Sequence, residues 1–117
     1  MKKLILIIVL ILTTCSLSAQ KQGQELIDSL LAELPNAKKD TNKVNLLNTL
    51  SFNYSAVDSK KGIEFGKEAL EIAKDIGWEQ GQAVAYCRLG VNYWAMSNFD
   101  KALEYYHKTL KIYEEIT

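Results

Sequence analysis

Tyr86, Leu89, Gly90 and Tyr93, followed nine residues later by Ala102 and then Tyr106, set large and small side chains at helical spacing on two neighbouring stretches. A weaker copy lies upstream, with Leu47, Leu50, Ser51 and Tyr54, then Gly62 and Gly66. Leu50 precedes Leu89 by 39 residues. A chain built from such units buries its apolar faces by stacking one unit on the next, so this pattern confines the fold more than any other feature. Small residues at Gly90 and Ala102 let the two helices of a hairpin cross closely, while Tyr86, Leu89, Tyr93 and Tyr106 fill the space beside them.

The rest of the chain agrees with helices throughout. Leucine, alanine, glutamate and lysine outnumber valine and threonine, and Pro35 is the single proline, which favours helix over strand. Leu26, Ile27, Leu30, Leu31 and Leu34 form an amphipathic stretch over residues 22–34 that Pro35-Asn36 stops. Asp40 or Thr41 caps a second helix with Val44, Leu47, Leu50, Tyr54 and Val57 on one face, ending near Asp58-Ser59. Asp58 caps a third, carrying Ile63, Phe65, Ala69, Leu70, Ile72, Ala73 and Ile76 to a terminal Gly77. A fourth spans about residues 79–96, Ser97-Asn98 make the turn, and a fifth runs over 99–116.

The amino terminus reads as an export signal. Met1-Lys2-Lys3 is positive, residues 4–12 are an unbroken run of Leu, Ile and Val, and residues 13–19 are small and polar apart from Leu17. A bilayer span needs roughly 20 apolar residues, more than this run supplies. Cleavage is expected after Ser18-Ala19, giving a leader over residues 1–19. The alternative is lipidation: Leu12-Thr13-Thr14-Cys15 resembles a bacterial lipobox, with Cys15 as the modified residue. Either way Cys87 is left alone, so no intramolecular disulfide is expected in the oxidising compartment that export implies. Without Lys2 and Lys3, twelve basic residues face fourteen acidic ones, and no nucleic-acid surface is indicated.

The spacing Tyr86-x2-Leu89-Gly90-x2-Tyr93 with Ala102-x3-Tyr106 resembles the tetratricopeptide signature, tyrosines standing for its tryptophan and phenylalanine. Glu114 stands where that signature often has proline. The resemblance covers a half repeat over residues 22–36 and repeats over 41–77 and 79–116. It implies an all-α, right-handed solenoid of antiparallel helical hairpins with a concave groove for a protein or peptide ligand. The groove positions it carries over are Asn45, Asn48, Phe52 and Ser55, then Val84, Cys87, Arg88, Val91 and Trp94. Phe52 and Trp94 would be aromatic anchors, and Arg88 would meet a carboxylate or backbone carbonyl of the ligand. Asn48 and Phe52 stand where chaperone-binding relatives use lysine and asparagine, so chaperone-tail recognition is not expected.

Material for catalysis is scarce. His107 is the one histidine and falls on the outward side of the last helix, leaving no metal cluster or Ser-His-Asp arrangement to build. The paired acids Glu68-Glu71 and Glu114-Glu115 fit a solvated helix face, and no cofactor loop is present. The expectation is therefore a non-catalytic interaction module, exported to the periplasm or beyond, that meets the membrane only through its leader or a lipid on Cys15. The alternative is the sensory segment of a membrane signalling protein of the histidine kinase or nucleotide cyclase type. Tyr106, Leu110, Ile112 and Tyr113 keep the last helix apolar. That implies a longer envelope protein, the reading preferred, or self-association through this helix or packing on a partner.

Overall fold

The computed structural model describes residues 1–116, apart from the side chains at 16 and 18–20. Five α-helices follow one another: α1 Lys2–Glu33, α2 Thr41–Tyr54, α3 Ser59–Asp75, α4 Glu79–Ala95 and α5 Phe99–Ile116, with a short 3-10 turn at Leu34–Asn36. No strand occurs among the described residues. Each helix from α2 onward packs on the next, and α2 also reaches α4. α3 and α5 are not in comparable contact, so the hairpins splay outward and α2 and α4 form the inner, concave side. This is an all-α solenoid of the kind the spacing implies.

Helix starts are set by local chemistry. Asp40 accepts backbone hydrogen bonds from Asn42 at 2.9 Å and Lys43 at 3.4 Å, satisfying amides that the first turn leaves without partners. Asp58 does the same for Lys61 at 3.3 Å. The ends of α3 and α4 share one design. Gly77 at φ +67° lets the Trp78 amide reach back to the Ala73 carbonyl and the Gly77 amide to that of Lys74. Ser97 adopts φ +61°, with the Asn98 amide on the Tyr93 carbonyl and its own on Trp94. A serine in this conformation is not visible in the spacing.

Three expectations change. α2 ends at Tyr54, where residues 55–57 turn back toward Asp58, so Val57 is exposed rather than on the core face. Ile76 is exposed as well, because it is the cap residue where α3 stops. The amphipathic stretch expected over 22–34 is the carboxyl-terminal part of α1, which runs unbroken from Lys2. Residues 4–12 of that helix are exposed. No helix among the described residues is long and apolar enough to cross a membrane. The expected cut after Ala19 falls on residues whose side chains lie outside the described ones.

The core lies in two adjoining clusters. Val44, Leu47, Ala69, Ile72, Ala73 and Ala85 join α2, α3 and α4, and Ile27, Leu50 and Tyr54 join α1 to α2. Between α4 and α5, a Cβ added at Gly90 would stand 2.6 Å from Tyr106 Cε1, so the missing side chain there is what admits the ring.

Candidate protein-binding groove

The inner face is assembled from α2 and α4, held together by a buried polar tie. Asn92 donates from Nδ2 to the Ser51 carbonyl and hydroxyl, both at 3.1 Å, and to the Arg88 carbonyl at 2.9 Å. Ser51 in turn donates to the Gly62 carbonyl at 2.6 Å. One asparagine thus sets the registry of three helices, since breaking any of these bonds would strand polar groups in a dry interior. Asn92 was invisible to pattern reading, because an asparagine on a helix looks solvent-facing until the next repeat is laid against it.

Along this face the carried-over positions separate. Asn45 is exposed and Phe52 is 47% exposed. Val84, Cys87, Arg88 and Val91 are half-buried. Ser55 is half-buried too, but its hydroxyl donates to the Phe52 carbonyl at 2.6 Å, which ties it to the end of α2. Asn48 is 3% exposed: it lies one turn from Val44 and beside Ser51, on the side of α2 that packs against α4. Its Oδ1 and Nδ2 find no partner among the described residues.

Two aromatic pairs stand out. The Arg88 guanidinium lies over the Phe52 ring at 4.6 Å, a contact between successive inner helices that stiffens both side chains. Arg88 is the one arginine of the chain. It makes no ion pair among the described residues, and its Nε is buried without a partner. Trp94, 55% exposed, instead meets Phe99 edge to face at 4.6 Å near the turn into α5. Phe52 with Arg88 therefore forms one aromatic pair, across α2 and α4, and Trp94 with Phe99 a second, at the turn from α4 into α5.

The charge pattern singles out the inner side. α2 and α4 together hold Lys43, Arg88 and Glu79, whereas α3 and α5 carry Glu64, Glu68, Glu71, Asp75, Asp100, Glu104, Glu114 and Glu115. The same two helices carry seven lysines, so charge of both signs is concentrated on the outer helices, and the inner helices hold only Lys43, Glu79 and the Arg88 guanidinium among uncharged side chains. On the other side of α4, Tyr86 and Tyr93 stack on Tyr105 at 6.1 and 5.5 Å, with Lys101 and Lys108 over the rings. Tyr105 was not singled out from the spacing, which pointed to Tyr106 as the partner of α4. Burial foremost, and then the neighbouring Tyr93, push the Tyr105 phenol up. For Tyr106 the causes are burial and then Cys87, which sets Cys87 beside α5.

No group of His, Cys, Asp and Glu among the described residues is placed to hold a metal. Two open pockets are formed between neighbouring helices, one where Glu33 and Asn36 meet Asn42 and Leu46 of α2, the other where Tyr86 of α4 meets Lys108, Lys111 and Glu115 of α5. A family model described as Tetratricopeptide repeat matches residues 44–115, more than half of the chain's 117 residues. No curated protein and no solved structure matches it.

Proposed function

Because this chain belongs to the tetratricopeptide repeat family, whose members generally serve as non-catalytic protein-interaction modules, we propose that its concave face binds a peptide or helix of another protein. The observation that carries the reading is the Arg88–Phe52 pair. A guanidinium held over a ring at 4.6 Å, with no carboxylate paired to it among the described residues, presents hydrogen-bond donors and an apolar platform together. A ligand that brings a carboxylate or backbone carbonyl to Arg88 and an apolar side chain to Phe52 would satisfy both. Asn45 lines the approach, and Val84 supplies apolar edge.

The protein is, in this reading, exported. Lys2 and Lys3 ahead of the apolar run at 4–12 support a cleaved leader, with lipidation at Cys15 as the second route. The mature protein would then meet its ligand in the periplasm or outside the cell. A sensory role in a larger signalling protein would use the same groove, so genomic sequence carrying a kinase or cyclase downstream in the same frame would decide for it.

The test is selection of peptides from a displayed random library against the protein, followed by calorimetric titration of the selected peptides. Arg88→Ala and Phe52→Ala should each weaken binding by roughly tenfold or more, about 1.4 kcal/mol. Selected peptides that bind both variants as well as the native protein would place the site elsewhere. Cell fractionation with mass measurement of the recovered chain tests export: an intact, unmodified amino terminus in the cytoplasm would sink that part.

A further inference from the structure

Two positions along α4, about 200° around the helix, separate Tyr86 from Arg88, so the tyrosine stack lies on the side of α4 turned away from the inner groove. Tyr105 of α5 stands between Tyr86 and Tyr93 of α4, at 6.1 and 5.5 Å. Two ammonium groups from different helices converge on the Tyr86 ring: Lys74 of α3 is 5.9 Å from its centre and Lys108 of α5 is 5.5 Å from it. Lys108 is also 5.2 Å from the centre of Tyr105, and Lys101 is 5.1 Å from that of Tyr93. Because α3 and α5 are not in comparable contact, these side chains bound a cleft with α3 on one flank, α5 on the other and α4 beneath. At the Tyr86 end it opens into the pocket lined by Lys111 and Glu115.

The lysines rest on rings rather than on carboxylates. Among the described residues Lys74, Lys101 and Lys111 make no ion pair, and Lys108 makes one exposed pair, with Glu104 at 3.6 Å. An ammonium has three donors, so a ligand carboxylate can take its open side while the ring keeps the other. The ring contacts also narrow the lysine rotamers in advance, which lowers the entropy lost when a ligand orders them. Spacing selects the ligand. Seven residues of α4 part Tyr86 from Tyr93, about 10 Å along the helix, which is the span of about three residues of an extended peptide. A nucleic-acid strand, with a phosphate about every 3.4 Å, would instead press phosphates against Glu104 and Glu115, which stand among the lysines.

We infer that this outer cleft binds an extended acidic segment of a partner protein, with one carboxylate at Lys74 and Lys108, another at Lys101, and apolar side chains between them on the tyrosine rings. The attraction comes from exposed charges, so it is sensitive to salt. The cleft shares no residue with the Arg88–Phe52 pair and stands or falls apart from it.

Fluorescence anisotropy of a labelled nine-residue peptide, glutamate-alanine-leucine repeated three times, titrated with the full chain tests this. Saturable binding that weakens as sodium chloride is raised is expected, and the same peptide with glutamine for glutamate should not bind. Lys74→Glu and Lys108→Glu should each raise the Kd about fivefold or more, while Lys43→Glu, the same charge change on α2, should leave it within about twofold. Lys74 and Lys108 are exposed, so helical circular dichroism should not change; Lys101→Glu carries the comparison if either variant loses helix. Absence of binding, or binding that the variants on α3 and α5 leave intact, overturns the inference. So does binding that Arg88→Ala abolishes, which would seat the peptide in the inner groove. A thymidylate oligonucleotide that binds more tightly than the peptide also overturns it, since the cleft would then be a surface for polyanions.

Discussion

Asn48 and Asn92 show how the same residue type serves opposite ends within one interface. Asn92 spends its amide nitrogen on three acceptors and locks α4 to α2. Asn48 is buried too, but both its amide atoms, and not the Oδ1 alone as in Asn92, find no partner among the described residues, which carries a desolvation cost of about 1–3 kcal/mol. Replacing it by leucine, close in size, removes those stranded groups. Asn48→Leu should raise the unfolding free energy by about 1 kcal/mol in a urea titration; a loss of stability would mean that the amide has partners in solution, such as water. The tyrosines give a second residue-scale expectation. Burial holds the phenols of Tyr105 and Tyr106 above their ordinary value, so the folded state keeps these protons where the unfolded chain, near pH ~10, releases them. The stability linked to them is fully present below about pH 10 and drains away as pH rises through the higher folded values. Phenolate absorbance of the native protein should therefore show two groups titrating late. Complete titration at the denatured-chain midpoint would contradict it.

At the scale of elements, the helix boundaries follow from a few polar residues and two left-handed turns. Asp40 and Asp58 were identifiable as caps because their carboxylates precede apolar-periodic runs, and both accept amide bonds. Gly77 was equally legible as a terminator. Ser97 was not: it repeats the Gly77 geometry at φ +61° without glycine's freedom, at a cost of about 1 kcal/mol. Ser97→Gly should therefore stabilise the protein by up to about 1 kcal/mol, read as a higher urea midpoint with an unchanged slope. A neutral or destabilising result would show that the serine makes compensating interactions in that turn. The early end of α2 at Tyr54 has a similar origin. The apolar period continues to Val57, but the Val57 and Asp58 amides both turn back to the Tyr54 carbonyl, and periodicity alone cannot see such a turn.

For the whole molecule, the inner and outer sides differ because of how hairpins stack. α2 and α4 touch while α3 and α5 stand apart, which curves the array and gathers the acid-poor surfaces on its concave side. That places Arg88 over Phe52 across 36 residues of sequence and leaves Trp94 with Phe99 at the turn from α4 into α5, although the repeat frame had grouped all three in one groove. The spacing of Tyr86, Leu89, Gly90, Tyr93, Ala102 and Tyr106 determined the helical class, the hairpin unit and most turn positions by itself. Those depend on local backbone preference and on faces three and four residues apart, which any single stretch displays. Only the tertiary structure decided that Asn48 is enclosed, that Asn92 ties three helices together, and that Tyr105 joins the stack on α4. Each depends on which helix lies against which at a sequence distance of about one repeat. Side-chain spacing says that a face is apolar or polar, but the neighbour that covers it, or fails to, is chosen by packing.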